Sequence, residues 1–243
     1  MTPRLSPTPK PTPRLYASPQ FVLCAGCVLF DFVHAKGDVV AADDEWAPLP
    51  SSQMRVCILH HLTKDEWMLP KGRKDEGESI DEAAVRETYE ETSYPCALLG
   101  VDLQTRSPPR GVNIKDNPHG WLARRTKEPF MVTQRTLGAH DQKFTFWYVA
   151  RALPGDGPDG APVKHDGTQT DSENFDSVFL DPEAAVNRLT FESDREVVRK
   201  AIELVRTTYF GCSLADADGA ETESVPTTNG HGHVSVPDGQ SKM

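Results

Sequence analysis

The sequence predicts a single mixed α/β domain, and three observations carry that reading. Apolar runs with strand patterning recur at about 21–30, 55–62, 96–104, 130–138, 143–152 and 176–181. Three helix-start signals lie among and after them. Both ends of the chain turn to sequence with little to bury: residues 1–20 are rich in Pro, Thr and Ser, and residues 211–243 are polar and acidic. The expected organisation is therefore a disordered or polyproline arm over 1–20, a domain over 21–210 and a disordered acidic tail over 211–243.

Taken in order, prolines at 3, 7, 9, 11 and 13 forbid an amphipathic helix in the arm, and hence a presequence of that kind. The next run, "FVLCAGCVLF", follows a basic segment but is broken by Asp31, which favours a domain strand over a secretory leader. Its Cys24 and Cys27 form a C-x-x-C, yet in a strand positions three apart face opposite ways, so both are expected as core thiols. Five cysteines without framework spacing favour a reducing compartment. Polar loops are expected at about 36–54, 106–128 and 154–173. Ser79 with Glu82 reads as a capping box opening an acidic helix, Pro182 opens a short helix through Arg188, and Ser193 with Glu196 reads as a second capping box for a helix to about Tyr209. On that last helix Val197, Val198, Ala201, Ile202 and Val205 make a packing stripe.

The net charge of −10 disfavours general affinity for nucleic acid or an anionic membrane, and no run of 18 apolar residues exists to cross one. The chemistry concentrates in "GRKDEGESIDEAAVRETYEETSY", Gly72–Tyr94, which holds eight carboxylates in 23 residues. Glu87, Glu90 and Glu91 fall within about 100° on one helix face. Their mutual repulsion and the opposing macrodipole at a helix C-terminus both call for a cation. Oxygen-only ligands suit Mg²⁺ or Mn²⁺ rather than zinc, since neither His nor Cys joins the cluster. Ile80, Ala84 and Thr88 form the adjoining stripe that packs on a sheet.

Gly72, Glu78, Arg86, Glu87, Glu90 and Glu91 reproduce every spacing of G-x5-E-x7-R-E-U-x-E-E-x-G-U, and the segment resembles the Nudix box. Thr88, Ser93 and Tyr94 depart from it, standing where a larger apolar residue, a glycine and an aliphatic are usual. The resemblance implies a Nudix α/β/α sandwich around a mixed β-sheet. It further implies a pyrophosphohydrolase in which Glu87, Glu90, Glu91 and the Gly72 carbonyl hold divalent ions and Glu90 leads as the base. Arg86 and Glu78 would pair to hold Glu87. In some relatives the base lies beyond the box, a role open to Glu173 or Asp176.

For the substrate, "EWMLPKGRKDEGES" is similar to the branch handling diadenosine polyphosphates and diphosphoinositol polyphosphates. Residues 104–143 carry eight Lys or Arg against three acids. Lys71, Arg73 and Lys74, together with Arg124, Arg125 and Lys127, are the expected contacts to a small, phosphate-dense substrate. Trp121, Phe130, Trp147 and Tyr148 are candidates to stack on a base, although "FTFWYVA" reads mainly as core. Alternatives are hydrolysis of ADP-ribose, nucleotide sugars or coenzyme A-type nucleoside diphosphates, or a non-catalytic nucleotide sensor. The expected location is cytoplasm or nucleus, with the peroxisome as the alternative through the terminal Ser-Lys-Met. Oligomeric state is not legible.

Overall fold

A computed structural model describes residues 12–33, 53–170 and 174–211. The expected 36–54 loop apart from its last two residues, Glu173, the Ser-Lys-Met terminus and most of both tails lie outside these residues. The strands are β1 (Phe21–Val33), β2 (Gln53–His61), β3 (Glu66–Met68), β4 (Lys71–Arg73), β5 (Cys96–Leu98), β6 (Val101–Thr105), β7 (Trp121–Thr126), β8 (Met131–Leu137), β9 (Asp141–Ala152) and β10 (Phe175–Leu180). The helices are α1 (Ile80–Thr92), α2 (Pro182–Arg188) and α3 (Glu192–Phe210).

The main sheet runs β10-β2-β1-β9-β5, with β3 beside β2, β4 beside β1 and β8 beside β9. It is mixed, because β1 pairs parallel with β9 from Phe21↔Gln142 to Phe30↔Arg151, while its bonds to β2 and β4 are antiparallel. The two faces of β1 separate the core into layers by simple alternation. Ala25, Cys27 and Leu29 pack with Ala83 and Ala84 of α1, whereas Val28, Phe30 and Phe32 pack with Val197, Val198, Ala201 and Val205 of α3. One helix on one face and two on the other give the α/β/α sandwich.

The buried acid in β1 is matched across the ladder: Asp31 stands opposite Arg55, whose Nε donates to it at 3.1 Å. Cys24 and Cys27 are buried on opposite faces as expected. Burial pushes both thiols up and raises Cys96 to about 12.

Several expectations need correction. A 3-10 turn, Ser18–Gln20, closed by Gln20 N donating to the Ala17 carbonyl at 2.7 Å, puts a short regular element at the end of the stretch read as a disordered or polyproline arm. The 96–104 run is two strands in different sheets, since the chain leaves the main sheet at Leu99–Gly100 and, among the described residues, β6 pairs only with β7. β7 lies within the stretch read as the 106–128 loop. At α3, Phe191 rather than Ser193 is the N-cap, and its carbonyl accepts the Asp194 and Arg195 N–H groups. The reason is tertiary: Asp194, buried beside Ser193, accepts the Leu69 N–H at 3.3 Å and so ties α3 to the connection between β3 and β4.

Candidate active site

β4 and α1 build the site. Ser79 caps α1 in a capping box with Glu82, whose carboxylate accepts the Ser79 N–H at 2.7 Å. Ala83, Ala84 and Thr88 then bury one stripe against β1. Thr88 is buried with both ends used. Its hydroxyl donates to the Ala84 carbonyl at 2.7 Å and accepts the Cys27 N–H at 3.1 Å, a bond that a larger apolar residue could not make.

Turning this stripe inward sets the carboxylates against β4. Glu87 and Glu91 are each only 7% exposed, while the Glu90 side chain is 36% exposed. Glu91 accepts the Lys71 N–H at 2.7 Å. Gly72 lies flat on the Glu87 carboxylate, and a Cβ there would collide with both of its oxygens, so any larger residue would have to displace that carboxylate. The same closeness recurs at Gly26 of β1, where a Cβ would strike the Pro70 carbonyl as the Pro-Lys-Gly segment crosses.

Arg86 answers the charge problem. Its Nη2 and Nε bond Glu78 at 2.6 and 3.1 Å, its Nη1 bonds Glu87 at 2.7 Å and Glu90 at 3.0 Å, and its Nη2 also donates to the Arg73 carbonyl at 3.0 Å. Hydrogen bonding from Arg86 holds the Glu78 carboxyl below its ordinary range, and the bond to Glu78 in turn drives the guanidinium well above its own. Glu78 also accepts the Asp75 N–H at 2.6 Å, closing the loop before the helix.

Among the described residues, no group of three His, Cys, Asp or Glu side chains is drawn together as a metal centre requires. Arg86 Nη1 instead stands between Glu87 and Glu90. The donor set nonetheless fits a hard divalent ion. Two buried carboxylates and a third half-exposed one share a helix face, beside the Gly72 backbone of β4, where a Cβ would meet the Glu87 carboxylate.

α1 ends under a set of bonds that the sequence does not announce. The last carbonyls of a helix lack partners within it. Here Tyr89 O accepts Ser93 N at 2.8 Å, Glu90 O accepts the Thr168 hydroxyl at 2.9 Å, Glu91 O accepts Gln169 Nε2 at 3.0 Å and Thr92 O accepts the Ser177 hydroxyl at 2.6 Å. Ser93 takes the left-handed conformation, φ 67°, that glycine usually supplies.

The proposed substrate contacts divide into two places. Lys71, Arg73 and Lys74 are on or next to β4, and Lys143 of β9 lies close enough to the Cys24 thiol to oppose the upward push of burial on it. Arg124 and Arg125 are elsewhere. Arg124 bonds Asp102 at 2.7 Å, and the Arg125 guanidinium lies 4.0 Å from the centre of the Tyr209 ring. Asp194, bonded to Leu69, and Tyr209 stand near opposite ends of α3, a rise of about 22 Å at 1.5 Å per residue. Lys127 is exposed just beyond β7. Trp147 and Tyr148 are core residues, 2% and 5% exposed, and Phe130 packs on the core. Asp176 is paired with Lys164 at 2.9 Å.

The model of the NUDIX domain matches residues 48–201, and the chain belongs to that family. The enzymes of this family generally use divalent metals. One relative, the 8-oxo-(d)GTP phosphatase of Mycolicibacterium smegmatis, is 28% identical over 62% of this chain and 34% of its own length, so the chain spans about a third of that protein. Among solved structures, the Ap4A hydrolase of C. elegans is 16% identical over 76% of this chain and 98% of its own, with a TM-score of 0.43. The Nudix hydrolase RenU of M. smegmatis is 14% identical over 76% and 87%, also at 0.43.

Proposed function

We propose that the protein is a Mg²⁺-dependent pyrophosphohydrolase that cleaves a phosphoanhydride bond in a small, phosphate-rich molecule such as a diadenosine or diphosphoinositol polyphosphate. The observation that carries this reading is the clamp of Arg86 on Glu78, Glu87 and Glu90 beside the Gly72 cradle. When bound, the ions neutralise phosphate oxygens and acidify water. Glu87 and Glu91, fixed by Arg86 and the Lys71 N–H, would hold the ions together with Glu90 and the Gly72 carbonyl. Glu90, the most exposed of the three, takes the proton of the attacking water. Arg86 keeps Glu87 in place, with Glu78 fixing the guanidinium from behind. Lys71, Arg73, Lys74 and Lys143 supply charge for substrate phosphates remote from the scissile bond. Arg124 and Arg125 are left to a structural role by their engagement at the far end of α3.

The M. smegmatis relative favours a second reading, hydrolysis of a nucleoside triphosphate. A panel of diadenosine tetraphosphate, diphosphoinositol polyphosphates, 8-oxo-dGTP, ADP-ribose and nucleotide sugars, assayed with Mg²⁺, separates the two. The first reading expects the highest kcat/KM on a polyphosphate and fails if 8-oxo-dGTP or ADP-ribose leads by tenfold. A sensor would turn over none of them.

A further inference from the structure

We propose that the segment 163–170 is a strap that positions the catalytic carboxylates, with Thr168 and Gln169 as positioning residues for Glu90 and Glu91. The proposal rests on the reading of Glu87, Glu90 and Glu91 as the ion-holding carboxylates. Glu90 and Glu91 occupy the last turn of α1, which ends at Thr92. A terminal turn frays unless its carbonyls are satisfied, and a side chain on a fraying turn has no fixed place. The strap meets this need at the residues that carry the chemistry: the Thr168 hydroxyl caps Glu90 O and Gln169 Nε2 caps Glu91 O.

Gln169 is itself locked. Its Nε2 also donates to the Phe175 carbonyl at 3.0 Å, and its Oε1 accepts the Phe175 N–H at 3.1 Å, so β10 holds the amide in one orientation. His165 anchors the strap's near end: its N–H donates to Ser93 O at 2.8 Å, and its Nδ1 lies 2.8 Å from the Tyr89 hydroxyl. The serine at the position where the box has glycine belongs to the same device. Thr168 has one hydroxyl proton, given to Glu90 O, so in the 2.9 Å contact with Ser93 the serine hydroxyl donates. Glycine would ease the left-handed backbone and lose this link.

The test measures Mn²⁺ binding by electron paramagnetic resonance beside kcat and KM on the best substrate, in the full chain. Thr168→Val with Gln169→Met removes both donors at nearly constant volume. Mn²⁺ affinity and kcat should each fall by about tenfold, the usual scale for groups that orient ligands from behind, with KM within twofold. Thr168→Ser, which keeps the hydroxyl, should stay within twofold of wild type while Thr168→Val alone falls severalfold. That contrast carries the test if the double variant does not fold. A role confined to stability would lower the thermal midpoint without moving Mn²⁺ affinity below it, and that result overturns the proposal. Wild-type protein that binds no Mn²⁺ overturns the carboxylate reading and the strap with it. Mn²⁺ bound equally by wild type and double variant overturns the strap alone.

Discussion

Replacing Arg86 by alanine tests the electrostatic logic of the site. The guanidinium makes two bonds to Glu78 and one each to Glu87, Glu90 and the Arg73 carbonyl. Its loss leaves the Glu87 carboxylate, only 10% exposed, without that cation. Breaking a buried pair costs about 3–5 kcal/mol. Arg86 is 27% exposed and Glu90 36%, so water moderates the loss to about 2–3 kcal/mol. At a few degrees per kcal/mol for a domain of this size, the thermal midpoint should drop by roughly 5–10 °C in metal-free buffer. Mg²⁺ should recover part of that drop, because an ion bound only to the folded state adds stability by mass action and takes over the neutralisation of Glu87 and Glu90. Arg86→Lys keeps the charge without the planar fork and should recover only part of it. The assay is thermal unfolding of wild type and both variants with EDTA and with Mg²⁺. A drop below 1 °C in EDTA, or a deficit that Mg²⁺ leaves unchanged, would refute the reasoning.

Three further outcomes follow from named contacts. Gly72→Ala drives a Cβ into the Glu87 carboxylate and should cut both kcat and Mn²⁺ affinity by more than tenfold, which steady-state kinetics and metal titration would show. Neutralising Arg124, Arg125 and Lys127 to alanine should lower the thermal midpoint by a few degrees, chiefly through the lost Arg125–Tyr209 contact of about 1–2 kcal/mol, and leave KM within twofold. A raised KM would return that cluster to substrate binding. Because Arg86 holds the Glu78 carboxyl below its ordinary value, the stability from this pair is present above about pH 4.5 and is lost as pH falls through the lowered value. Acid titration of stability should therefore show a loss in wild type that is smaller in Glu78→Gln.

What was legible in the sequence was local. The box residues lie within one loop and one helix, so helix periodicity places Glu87, Glu90 and Glu91 on one face, while the pairing of Arg86 with Glu78 is what the box resemblance implies. The Ser79–Glu82 cap and the α2 boundaries at Pro182 and Arg188 follow from the same short-range chemistry. The parts that were not legible depend on distant partners. Thr168 and Gln169 meet α1 from 78 residues away, and a Thr-Gln pair in a polar loop has no local signature. The N-cap at Phe191 replaced the Ser193 signal because Asp194 is held by Leu69, 125 residues earlier. β7, "WLARRT", reads as a basic loop because only pairing with β6 makes it a strand. Charge counting likewise groups Arg124 and Arg125 with Lys71, Arg73 and Lys74, because it ignores the Asp102 and Tyr209 contacts that hold them near the far end of α3.

The central claim, that the α1 carboxylates carry out hydrolysis, is tested most directly by Glu90→Gln. Glu90 is the half-exposed member of the set, so the amide should leave the fold and thermal midpoint nearly intact. Product release from the best substrate of the panel, measured with saturating Mg²⁺, should fall by at least a hundredfold, the scale of removing a general base. Turnover within a few-fold of wild type, in a variant with an unchanged thermal midpoint, would contradict the account.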